Sequence, residues 1–200
     1  MSDTNLREED DLSELDEYYD YREIFEGNTD FNPFSFRSSS TDAFDDSIKR
    51  LGLKHFGPWE LRPMGGAHYN SNSSCFKLND IPPEEKWNNI VNTIKVVDDL
   101  REDLNIPIRI NSAYRSPDYN SCIKGRPRSL HLRFNALDIA FVGISSIEGC
   151  KELLSRRKAG VFSGGLGIYK TFVHIDTRGR DAEWKGNGTP QSYYDAVFSG

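Results

Sequence analysis

The chain has 200 residues, enough for one domain with its own core and some excess. A hydrophobic content of 36% with 12% aromatics suits a packed domain, and no apolar run approaches the ~18 residues that a membrane span needs. The net charge of −6 is unevenly spread: residues 1–46 hold 15 acids and 3 bases, a net of −12, which leaves +6 for the remainder.

Residues 1–46 read as an acidic arm. The start, MSDTNLREEDD, has neither the basic run nor the apolar stretch of a secretory signal. The expectation is therefore synthesis in the cytoplasm, with release by lysis or incorporation in a virion. Tyr18, Tyr19, Tyr21, Phe25, Phe31, Phe34 and Phe36 interleave the acids and leave two readings open: a solvated arm, or a segment that docks on a protein partner. RSSSTDAFDD (37–46) reads as a linker. Residues 47–83 alternate short apolar pieces with Gly, Pro, Asn and Ser, which predicts irregular structure packed on the domain. The domain proper is expected over 84–200.

Trp87, Ile90, Val91, Ile94, Val97, Leu100 and Leu104 recur at three- and four-residue spacing and predict an amphipathic helix over 84–104. Pro82 and Pro83 precede it, and Asn105 and Pro107 end it. IPIRINS (106–112) alternates as a strand should, and the loop AYRSPDYN follows. ALDIAFV (136–142) reads as a strand. Ser145 and Glu148 fit a capping box opening a helix over 145–158. GGLGIY and FVHIDT (164–177) read as two short strands or one bent one. Arg156, Arg157 and Lys158 fall at a helix end, where a solvated cationic face is the expectation. This order predicts an α+β domain: a small, mostly antiparallel sheet packed with helices. Cys75, Cys122 and Cys150 form no C-x-x-C pair and suggest no disulfide framework, so they are expected as buried or incidental thiols.

The four histidines are His55, His68, His131 and His174. His131 stands in S-L-H-L-R-F-N-A-L-D, with Asp138 at the start of a predicted strand, and His174 lies in F-V-H-I-D on another. Two imidazoles and one carboxylate make a set that zinc accepts while a fourth position stays open for water.

S-x-H-x(6)-D, followed by V-H-I-D-T-R-G-R, resembles the M15 family of zinc D-Ala-D-Ala carboxypeptidases and murein endopeptidases. I-N-S-A-Y-R-S-P-D-Y-N and G-G-L-G-I-Y are similar to that family's preceding motifs, so the resemblance spans about residues 84–184. It implies the hedgehog/DD-peptidase fold, zinc (Zn2+) held by His131, Asp138 and His174, and Arg115 gripping a substrate carboxylate through two parallel hydrogen bonds. Ser129 would bind substrate, orient His131, or cap its turn. Trp184 resembles the family's closing tryptophan and is expected to pack.

Two positions depart from the family pattern. Phe134 replaces the usual glycine three residues after the first histidine, where a ring would narrow the pocket. Thr171 replaces a glutamate three residues before the last histidine that serves as general base. Asp176 is then the base expected, because on a strand it shares a face with His174; orienting a ligand or pairing with Arg178 or Arg180 is its other reading, and His68 is a remoter base.

The function implied is zinc-assisted hydrolysis of an amide bond in peptidoglycan stem peptides, as a carboxypeptidase or endopeptidase. The alternative is a zinc-binding structural module with little or no turnover, part of a larger assembly such as a phage particle. Lys124, Arg126, Arg128 and Arg133 raise the question of nucleic acid, but no aromatic-basic repeat or finger spacing accompanies them, so no nucleic-acid partner is expected.

Overall fold

Five short strands make one sheet, and each is too short to be stable without the helices that cover it. A computed structural model describes residues 39–62 and 65–199. The strands are β1 (Ile108–Ser112), β2 (Ala136–Phe141), β3 (Gly165–Ile168), β4 (Val173–Asp176) and β5 (Ala182–Lys185), in spatial order β1-β2-β4-β3-β5. Every pairing is antiparallel except that of β3 with β5. The α+β architecture with a mostly antiparallel sheet is therefore as expected.

The helices among the described residues are α1 (Ser39–Lys49), α2 (Gly66–Tyr69), α3 (Val91–Leu104), α4 (Pro117–Cys122), α5 (Ser146–Lys158) and α6 (Gln191–Phe198). None is long and apolar enough to cross a membrane. The core joins Ile94, Val97 and Leu100 of α3 to Ile108, Leu137, Ile139, Leu166, Val173 and Ile175 of the sheet and to Cys150 and Leu153 of α5. Each such fully buried aliphatic side chain stabilises the fold by about 1.5–3 kcal/mol.

The apolar stripe over 84–104 divides in two. Residues Glu84–Ile90 form a 3-10 turn behind Pro83, and the α-helix begins only at Val91. Asn105 closes α3 in the left-handed region at φ 50°, a position asparagine tolerates. The capping box of α5 is present: Glu148 N–H donates to Ser145 Oγ at 3.2 Å, and Ser145 N–H donates to Glu148 at 2.8 Å.

Three expectations are corrected. Residues 39–46 are not linker, because α1 runs through the boundary expected at 46 and buries Phe44 and Ile48. Phe44 meets Trp87 and Phe134 at ring-centroid distances of 5.7 and 6.0 Å, a contact that the serine-rich composition concealed. Cys75 and Cys122 are not free thiols but a disulfide closing a separation of 47 residues; Cys150 alone is a free, buried thiol. Arg157 is not solvated. It is buried, donates to the carbonyls of Gly164 and Ala182 at 3.0 and 3.2 Å, and pairs with Glu183, so it pins the β3 and β5 ends to α5. The acidic arm's aromatic residues, 18–36, lie outside the described residues.

Candidate metal centre

Strand register builds the site. Ser112 faces Asp138 across β1 and β2, Asp138 faces His174 across β2 and β4, His174 faces Gly167 across β4 and β3, and Gly167 faces Trp184 across β3 and β5. One row thus crosses all five strands, with its side chains on one face. Glycine is needed within it: a Cβ on Gly167 would stand 2.5 Å from the Trp184 indole. The ring lies across that gap and reaches His174, with centroids 5.0 Å apart.

His131 comes from outside the sheet. It sits on the 3-10 turn Leu130–Arg133, which ends at Phe134 in the left-handed region at φ 54°. A bulky residue rarely adopts that conformation, and glycine takes it without strain. Here the backbone strain of roughly 1–2 kcal/mol is offset by complete burial of the Phe134 ring against Phe44 and Tyr114. The ring belongs to the core and does not narrow the pocket as expected.

The row and the turn bring three donor atoms together. His131 Nε2 lies 3.2 Å from His174 Nδ1 and 3.2 Å from Asp138 Oδ1, and His174 Nδ1 lies 2.9 Å from the same oxygen. Two donors about 2.05 Å from a tetrahedral zinc stand about 3.3 Å apart, so the triangle has the size a small divalent cation needs. These residues are the one group among those described whose ligand atoms cluster in this way.

The remaining polar atom of each residue is already engaged. His131 Nδ1 donates to the Ala113 carbonyl at 2.7 Å, which leaves the Nε2 lone pair toward the site. His174 Nε2 donates to Asp176 at 3.2 Å and leaves Nδ1. Asp138 Oδ2 accepts from Arg115 at 2.6 Å and leaves Oδ1. Three lone-pair-bearing atoms therefore face one another, an arrangement that repels unless a proton or a metal ion stands among them.

The titration of these groups agrees. Burial holds His131 below the ordinary histidine range, which favours the neutral form that can ligate. Burial alone would raise Asp138, but its neighbours His131 and Arg115 outweigh burial and hold the carboxylate well below its usual range. Burial would lower His174, yet its hydrogen bonds to Asp138 and Asp176 dominate and raise it. The same negative surroundings favour a metal in the proton's place.

The other expected site residues are placed as follows. Arg115 is buried, and its guanidinium donates to Ser112 Oγ at 2.9 Å as well as to Asp138. Asp176 is fully buried; it accepts from the N–H groups of Gly165 and Arg178 at 3.1 and 3.2 Å and pairs with the Arg178 guanidinium. Burial would raise its pKa, but His174 and Arg178 push it far below the ordinary range. Ser129 lines the cavity but makes no side-chain cap, and His131 takes its orientation from Ala113. His68 is not at the site: its Nδ1 accepts from Asn79 N–H at 3.0 Å, and its ring meets Tyr119. Thr171 is exposed in the turn between β3 and β4.

A cavity of about 440 Å³ opens over the triad. Its walls include Arg126 and Arg128, the stacked pair Tyr169 and Phe172, and Trp184. Sequence reading missed Lys185 as a wall residue; the parallel strand β5 that carries it is too short to announce itself.

Fold and site together define a class: a small α+β domain whose buried His–Asp–His group is able to hold a divalent metal. A family model described as Peptidase M15 matches residues 65–176. That is more than half of the chain, and the chain belongs to this family. Neither the curated proteins nor the solved structures supply a match.

Proposed function

We propose that the chain is a zinc-dependent peptidase acting on an amide bond of peptidoglycan stem peptides. The observation that carries this reading is the triangle of His131 Nε2, Asp138 Oδ1 and His174 Nδ1, with edges of 2.9–3.2 Å and every other polar atom of those residues engaged. Zinc held there would polarise the scissile carbonyl and bring the pKa of a coordinated water to about 7.

The chain's own residues then divide the work. Ala113, Arg115 and Asp176 hold the ligands in the required tautomer and rotamer. We assign Asp176 this orienting role rather than that of general base, because both its oxygens are engaged and so acidic a carboxyl is a poor proton acceptor at neutral pH. Arg115 is likewise assigned to Asp138 rather than to the substrate. The Cys75–Cys122 disulfide supports a place of action outside a reducing cytoplasm, which suits release by lysis or carriage in a virion, with the acidic arm docking on a partner there.

Metal analysis of the purified chain beside zymography on bacterial cell walls tests the reading. One zinc per chain and lysis abolished by chelator are expected; lysis indifferent to chelator overturns it. A second reading is favoured by one observation: among the described residues, Asp138 is the sole carboxylate lining the cavity. It is a zinc-holding module with little turnover, and tight zinc without lysis would select it.

A further inference from the structure

We propose that the substrate carries negative charge on both sides of the scissile bond, held by Arg126 and Arg128 on one wall of the cavity and Lys185 on the other. This rests on the peptidase reading and names the charge character of its substrate. The walls hold five cations: Arg115, Arg126, Arg128, Arg178 and Lys185. Two are spent within the protein, Arg115 on Asp138 and Arg178 on Asp176. The other three are exposed, and among the described residues none has an acidic partner within ion-pair distance. The Lys185 ammonium donates at 3.3 Å to the Thr189 carbonyl, which leaves its charge uncompensated.

Placement makes the three a binding device rather than a solvated face. Arg126 and Arg128 lie on the loop between α4 and the His131 turn, and Lys185 ends the edge strand β5. Lys185 marks the β5 edge of the sheet, whereas the arginine loop runs into the His131 turn, which is bonded to Ala113 just past β1, the opposite edge strand; a peptide seated over the triad lies between the two groups of cations. The arginine loop is also held in shape. The Arg126 carbonyl accepts from Asn120 Nδ2 at 3.2 Å and from Ser129 N–H at 3.0 Å. Gly125 N–H donates to the Asn120 carbonyl at 2.8 Å, and a Cβ on Gly125 would collide with the Asn120 side chain at 2.4 Å. Like charges fixed around a concave, low-dielectric wall focus their field into it. A peptide with carboxylates flanking the cut relieves that repulsion; a neutral one gains nothing.

The test uses the full chain stripped of metal by chelator, so that binding is read without hydrolysis. The probe is N-acetyl-L-Ala-γ-D-Glu-L-Lys-D-Ala with two free carboxylates, compared by calorimetry with its diamide. The diacid should bind about tenfold tighter, and raising salt from about 50 mM to about 500 mM should erase the difference. Arg126→Ala, Arg128→Ala and Lys185→Ala should each weaken the diacid about three- to fivefold and leave the diamide unchanged. Equal affinity for the two peptides, variants without effect, or tighter binding of a single-stranded oligonucleotide than of the diacid would overturn the proposal. Once zinc is restored, charge preference without lysis of bacterial cell walls would sink the peptidase reading alone. Equal hydrolysis of diacid and diamide would sink the rim alone.

Discussion

The two histidines of the candidate metal centre are held by different means. His174 stands on a strand, and a side chain orients it: Asp176, itself clamped by Arg178. His131 stands on a turn, and the backbone orients it through the Ala113 carbonyl. That carbonyl is in turn fixed at a distance. Asn79 Nδ2 donates to the Tyr114 carbonyl at 3.1 Å and Asn79 Oδ1 accepts from Ser116 N–H at 2.8 Å, while Asn79 belongs to the segment tied to α4 by the Cys75–Cys122 disulfide. One candidate ligand therefore depends on two neighbouring residues, and the other on the integrity of a whole flap of irregular chain.

That contrast can be broken or sharpened experimentally. The largest effect belongs to the ligands: His131→Ala and His174→Ala should each reduce the metal content, measured by elemental analysis, from one per chain to near none. Next is the flap. Cys75→Ser with Cys122→Ser should lower stability by about 4 kcal/mol, the loop-closure value for this spacing, read as a lower urea midpoint. It should also weaken the metal site; an unchanged metal affinity would show that His131 does not depend on the flap. Asp176→Asn tests the side-chain route. It should weaken metal binding about 10- to 100-fold in chelator competition while changing the urea midpoint less than the cysteine pair does. The smallest effect is expected at Cys150, where burial pushes the thiol up to about 12. Since the thiolate is the reactive form, an aromatic disulfide reagent should label no thiol in the native protein and one per chain after unfolding without reductant.

Local features of the fold were legible because they are written in neighbouring residues. The alternation of Ile108 and Ile110, the Ser145–Glu148 box and the stripe of α3 each follow from spacings of two to four residues, and each is in place. The helix Ser39–Lys49 was missed although Phe44, Ile48 and Leu51 carry helical spacing, because serines and aspartates surround them. The expectation that the Phe134 ring narrows the pocket fails because the position calls for a left-handed backbone, and the ring it carries turns into the core.

The candidate ligand types, their order along the chain and the strands that carry two of them can be read from neighbouring residues, because imidazole and carboxylate chemistry and strand periodicity are local properties. How those groups are used is set by folding. Whether Arg115 meets substrate or Asp138, whether Asp176 is free or clamped by Arg178, and whether Cys75 finds Cys122 all depend on contacts between distant segments, and the spacing of residues along a chain carries no record of which neighbours folding brings within hydrogen-bonding distance.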